Sequence, residues 1–154
     1  NRNPWLFNAG LKYALNGGFV DFTTSSIPKS LTEEGVKCSS GLKIMLDEGV
    51  DIDRITFTSD AQASLPLFNG SGELTSMEVG SISSLYREVR SSIQEENIPI
   101  ETAIKTITEN PASILKLRQK GKIAYGKDAD IVIFDEGINI CHTIIGGEVF
   151  YSQQ

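Results

Sequence analysis

Apolar residues recur at near-helical spacing through Leu6, Phe7, Ala9, Leu11, Tyr13 and Ala14, a pattern that predicts a helix. Asn3 followed by Pro4 supplies its start, a capping side chain with proline at the first helical position, and Asn16-Gly17-Gly18 ends it. Phe19 to Thr24 (FVDFTT) is a short β-rich run. After a polar loop at Ser25-Ser26-Ile27-Pro28, a second helical stretch from about Glu33 stops at Gly49, and Arg54 to Ser59 (RITFTS) reads as the next strand. Helix, strand, helix, strand with short connections is the order of βα units around a parallel sheet.

Beyond that strand, Phe68-Asn69-Gly70-Ser71-Gly72 reads as a flexible connection. It leads to a long helical tract from about Ser76 to Asn97, with Ile82, Leu85, Tyr86 and Val89 on one face. Pro99 opens a further helix, and Asn110-Pro111-Ala112-Ser113 restarts the helix through Leu117. From Lys122 onward the pattern changes. Ile123-Ala124-Tyr125, Ile131-Val132-Ile133-Phe134 and Val149-Phe150-Tyr151 are strand-like and separated by Gly- and Asp-rich turns. The chain is therefore expected to be α/β over residues 1–117, with a small β-domain over residues 118–154. A complete (β/α)8 barrel takes about 250 residues, so barrel sequence here would be the last part of one. The chain opens without Met, at Asn1-Arg2-Asn3-Pro4, and reads as a piece of a longer protein.

Composition narrows the function classes. With 40% hydrophobic and 22% charged residues, the 154-residue chain has the balance of a globular protein. A net charge of −6 with scattered Lys and Arg argues against a nucleic-acid surface. No apolar run reaches the roughly 20 residues of a membrane-spanning helix, and no signal-peptide pattern is present, which points to a cytoplasmic protein. Cys38 and Cys141, far apart and outside any CxxC pair, read as buried reduced thiols.

Asp60 directly follows an apolar strand and opens a loop holding Ala61, Gln62, Ala63, Ser64 and Pro66. A carboxylate at the C-terminal end of a barrel strand is placed for proton transfer or metal binding; taken alone, a turn or helix cap is its default reading. The wider pattern resembles a known family. Ile55-Thr56-Phe57-Thr58-Ser59-Asp60, with Ser64 and Pro66, is similar to the eighth-strand motif of the amidohydrolase superfamily, and most closely to that of its isoaspartyl (β-aspartyl) dipeptidases. Asn110-Pro111-Ala112, followed by the run from Lys120-Gly121-Lys122-Ile123 to Gly126-Lys127-Asp128-Ala129-Asp130, resembles the superfamily's usual ending. Asn1-Arg2-Asn3, Leu6-Phe7 and Gly17-Gly18-Phe19-Val20-Asp21 resemble the segment after the last metal-binding His of the same dipeptidases.

The resemblance implies the C-terminal part of a TIM-like barrel and a zinc-dependent peptidase of β-aspartyl dipeptides, assembled as a homo-oligomer. Asp60 would be both a metal ligand and the group that takes a proton from the attacking hydroxide and returns it to the leaving amine. Arg2 would bind a substrate carboxylate and Ser64 would help hold the same end; their plain alternatives are a solvated charge and turn filler. Ala61 and Ala63 stand where the dipeptidases are expected to have Gly, implying a more restricted loop. The implied binuclear zinc site uses several His and a carboxylated lysine, whereas this chain has one His, His142, in a strand-like run. Other amide hydrolases of the superfamily, dihydropyrimidinase-like or deacetylase-like, and a non-catalytic module are the competing readings. Glu33-Glu34 and Glu95-Glu96 read as solvated helix ends.

Overall fold

The computed structural model describes residues 3–25 and 35–153. Helix α1 (Pro4–Leu15) begins as the sequence predicts: the Asn3 side chain accepts from the Leu6 N–H at 2.8 Å, with Pro4 in the first turn. It closes on Gly17 at φ +87°, where the Gly17 and Gly18 N–H groups return to the carbonyls of Ala14 and Tyr13. Helix α2 (Cys38–Asp47) ends the same way, with Gly49 at φ +89° and the N–H groups of Gly49 and Val50 on Leu46 and Met45. In both, a glycine in the left-handed region lets the chain reverse while satisfying the last helical carbonyls. The second helix starts later than the expected position near Glu33: Glu33 lies outside the described residues, but Gly35, Val36 and Lys37 are not helical and α2 begins at Cys38.

Strand β1 (Val20–Thr23) pairs in parallel with β2 (Ile55–Thr58), in the register Val20↔Ile55 to Thr23↔Thr58, and α2 lies between them in sequence. This is the expected βαβ arrangement. Alternation sends Phe22, Ile55 and Phe57 into the core with Phe7, Leu42, Met45 and Val89. The Phe22 ring meets Phe57 edge-on at 5.9 Å and lies 6.2 Å from Phe7. Gly41 of α2 admits these rings: a Cβ there would sit 3.0 Å from Phe22 and 3.2 Å from Phe7.

The segment after β2 differs from expectation. Ser76 does not begin a helix; β3 (Ser64–Phe68) and β4 (Leu74–Val79) form an antiparallel hairpin, and helix α3 starts later, at Ser84–Gln94. The intervening turn is built, not loose. The Asn69 side chain accepts from the N–H groups of Ser71 and Glu73 and donates to the Glu73 carboxylate at 2.8 Å, and Gly72 takes φ +78°. Pro66 and the helix-forming Met77 and Glu78 hide this hairpin from propensity, whereas Gly80 marks where the helix cannot yet have begun.

Helix α3 is tied to the start of α2. Buried Glu88 accepts from the Ser39 N–H, Glu96 accepts from the Ser40 hydroxyl at 2.6 Å, and Glu95 pairs with Lys37 at 2.5 Å. Carboxylates placed against a helix N-terminus are favourable there, so Glu95 and Glu96 are interhelical ties and not simply solvated ends. A short helix α4 (Ile100–Ala103) runs into a single 3-10 turn at Ile104–Ile107.

The chain forms two compact units, Asn1–Ile107 and Thr108–Gln154. In the second, helix α5 (Glu109–Ile114) precedes a three-stranded antiparallel sheet of β5 (Ile131–Phe134), β6 (Ile140–Ile145) and β7 (Glu148–Ser152), in that order. The second unit thus includes the Asn-Pro-Ala helix as well as the β tail. Ile123-Ala124-Tyr125, expected as a strand, is instead a turn closed by the Lys127 N–H on the Ala124 carbonyl; among the described residues no strand pairs with it. Gly121, at φ +86°, packs so closely on α5 that a Cβ would meet that of Ala112 at 2.7 Å.

Candidate active site at the end of the second strand

Asp60 leaves β2 two residues after its last paired position and adopts φ +49°; Gln62 adopts φ +68°. The left-handed region disfavours residues with a Cβ, but Asp tolerates it better than most. Ala61 and Ala63, where Gly was expected, have ordinary negative φ, so the strain falls on Asp60 and Gln62 and the two alanines do not restrict the loop. The loop is cross-braced. Ala63 N–H reaches the Asp60 carbonyl at 3.2 Å, Gln62 N–H the Gly80 carbonyl at 3.0 Å, and Gly80 N–H the Ala63 carbonyl at 3.0 Å. Gly80 also passes so close to Asp60 that an added Cβ would lie 2.6 Å from the Asp60 carbonyl oxygen. The Asp60 side chain is exposed.

Ser64 opens β3 on the far side of this loop, exposed, and opposite Val79 of β4. Asp60 and Ser64 therefore occupy one braced element. Arg2, the third expected site residue, lies outside the described residues. Sequence reasoning missed a polar feature beside them. The Asp21 carboxylate of β1 accepts from the Thr56 hydroxyl at 2.7 Å and from the Thr58 hydroxyl at 2.6 Å, one threonine per oxygen. The signal was the matched alternation of V-D-F-T and I-T-F-T, which leaves Asp21, Thr56 and Thr58 on the face opposite Phe22 and Phe57. Asp21 thereby fixes the strand from which Asp60 projects.

The metal-ligating residue types do not converge: among the described residues no three His, Cys, Asp or Glu side chains gather. His142 sits on β6 with its Nδ1 3.0 Å from the Ser152 hydroxyl, a strand-to-strand contact within the sheet. Cys38 is buried with its Sγ 3.2 Å from the Thr23 carbonyl, and Cys141 is only half-buried. These described residues do not fit a metal site by themselves. A cavity of about 350 Å³ in the second unit is lined by Lys116, Arg118, Lys120, Lys122, Lys127 and Glu109 among others, and by none of the expected site residues. Two of the five cations lining it, Lys120 and Lys122, are in ion pairs, and Lys127 donates to the Arg118 carbonyl. Lys120 bridges Asp128 and Asp130, holding the Asp130 carboxyl below the usual range, and Lys122 meets Glu109 at 2.5 Å. Among the described residues no helix is long and apolar enough to cross a membrane.

The sequence profile of the amidohydrolase family matches residues 27–150. The chain belongs to the amidohydrolase family. A solved β-aspartyl dipeptidase from Fervidobacterium islandicum AW-1, in complex with β-Asp-Leu dipeptide, is 34% identical, with a TM-score of 0.81 over 98% of this chain and 38% of that one. An N-acetylglucosamine-6-phosphate deacetylase from Bos taurus is 29% identical over 63% of this amidohydrolase chain and 28% of its own length. The solved deacetylase of Pasteurella multocida, 19% identical with a TM-score of 0.62 over 88% of this chain and 37% of that one, shares the fold. The chain thus spans well under half the length of these relatives. Family members generally use metal ions.

Proposed function

We propose that this chain is the C-terminal part of a zinc-dependent hydrolase of β-aspartyl dipeptides, its first unit closing a (β/α)8 barrel and its β tail completing a small β-domain. The observation that carries the reading is the likeness to the β-aspartyl dipeptidase, which runs over 98% of the chain at 34% identity. Zinc, when bound, would supply an activated water; most of its ligands would come from outside this chain.

The residues of this chain do the following. The Asp60 carboxylate takes the proton from the attacking water and delivers it to the leaving nitrogen, a task suited to a carboxylate on a rigid loop. Ser64 donates its hydroxyl to a carboxylate of the dipeptide, and Arg2 pairs with the same end. The enzyme acts as a homo-oligomer in the cytoplasm, with neither membrane nor nucleic acid as partner.

A second reading is supported by the deacetylase relatives: hydrolysis of the acetamide of a sugar phosphate. It stands second because that likeness covers 63% of the chain at 29% identity, against 98% at 34% for the dipeptidase. The test is Asp60→Asn in the full-length metal-loaded enzyme. Turnover of β-aspartyl dipeptides is expected to fall by roughly 10²- to 10⁴-fold with the melting temperature kept, because the side chain is exposed. Undiminished turnover would remove Asp60 from the mechanism.

A further inference from the structure

We propose that Thr24 is a positioning residue for the proton-transfer carboxylate: its buried hydroxyl ties together the two ends of the stretch that carries Asp60 and Ser64. The inference rests on the dipeptidase reading above and adds a residue that acts through others.

Thr24 directly follows β1 and is 1% exposed, as is Ser84, the first residue of α3. Their hydroxyl oxygens lie 2.7 Å apart, and Thr24 Oγ1 is also 3.1 Å from the Thr58 carbonyl. A carbonyl can only accept, so the Thr24 hydroxyl gives its one proton to Thr58 and the Ser84 hydroxyl donates to Thr24. Thr58 ends β2, two residues before Asp60, and Ser84 lies four residues beyond Gly80. The Asp60 loop and the β3–β4 hairpin therefore run between two points that one side chain joins. Thr58 is held further by the Thr24 N–H, which reaches the same carbonyl at 2.7 Å, and by Asp21, which takes its hydroxyl at 2.6 Å. Ser25, next along the chain, lies where Gly80 returns to Asp60: a Cβ added to Gly80 would be 3.3 Å from that of Ser25.

Two hydroxyls are not the simplest filling for a core position. Valine and alanine, close to them in shape, would leave no buried donor to satisfy, so what the pair adds is direction. A hydrogen bond sets a distance and an angle where apolar contact lets neighbours slide. A proton-transfer group needs that, because a misplacement of about 1 Å can remove most of its effect.

The experiment measures kcat for β-Asp-Leu and the melting temperature of the full-length zinc-loaded enzyme. Thr24→Val is expected to lower kcat by about 10- to 100-fold, while Thr24→Ser, which keeps the hydroxyl, stays within about threefold of wild type. Ser84→Ala leaves the Thr58 bond in place and unhooks the other end, with an expected drop of about 3- to 10-fold. The double variant Thr24→Val with Ser84→Ala separates placement from stability. With both hydroxyls gone no donor is orphaned, so it is expected to melt close to wild type and still to show the full loss of kcat. If the double variant has wild-type kcat, or a folded Thr24→Val never loses it, the pair is packing alone and the inference fails by itself. Should Thr24→Val not fold, Ser84→Ala decides, and wild-type kcat in that variant overturns the proposal. If wild type hydrolyses no β-aspartyl dipeptide, the functional reading fails and takes the inference with it.

Discussion

At the scale of single residues, the site depends on a close approach that only glycine permits. Gly80 does not need a left-handed φ; it needs the absence of a Cβ, because one would lie 2.6 Å from the backbone oxygen of Asp60. Gly80→Ala would push the Asp60 loop and its carboxylate by several tenths of an ångström or more. We expect kcat of the full-length enzyme to drop by about 10- to 100-fold, since small misplacements of reacting groups cost that much, and thermal unfolding to show a loss of only about 1–3 kcal/mol. Equal kcat in the variant would mean that the loop gives way freely. Asp60 itself was legible in the sequence from its place after RITFTS. Its left-handed φ was not, because the alanines beside it drew attention to the wrong positions. Asp21 was hidden for another reason: its value lies in two hydrogen bonds across the sheet, to Thr56 and Thr58, and register between distant strands is not written in local propensity.

At the scale of elements, the two glycine-closed helices and the parallel strand pair followed directly from periodicity and cap chemistry. The β3–β4 hairpin did not. Its strands carry Pro66 and Glu78, poor strand formers, and the helix-favouring Met77, and the Asn69 turn and the brace at Gly80 that hold it are not features a propensity window detects. The α2–α3 contact carries a testable electrostatic element. Lys37, and then Ser91, hold the Glu95 carboxyl below its usual value. A carboxyl lowered in the folded state stabilises the fold above the unfolded value, about 4.3 for Glu, and that contribution disappears as pH falls through the lowered folded value. Both partners are substantially exposed, so screening limits the effect to about 0.2–1 kcal/mol. Glu95→Gln should therefore lower the melting temperature slightly at pH 7, and the gap to wild type should close on acidification below about pH 4. A gap that persists at low pH would assign the effect to packing and not to charge.

For the whole molecule, the alternation of helix and strand followed by a β-rich tail gave the mixed α/β class, and the ordered set of motifs from Asp60 to Asp130 gave the family. The organisation of the tail was only partly visible: Ile123-Ala124-Tyr125 has strand composition but no pairing strand among the described residues, and composition cannot supply a partner. Substrate class is likewise a property of more than this chain, which spans 38% of the dipeptidase and 28% of the bovine deacetylase. The most direct test of the central claim is therefore one kinetic comparison on the full-length zinc-loaded enzyme, β-Asp-Leu against N-acetylglucosamine 6-phosphate. The account predicts hydrolysis of the dipeptide with kcat/KM of about 10⁴ M⁻¹s⁻¹ or higher and no measurable release of acetate from the sugar. Acetate release from the sugar phosphate, with the dipeptide left intact, would contradict it.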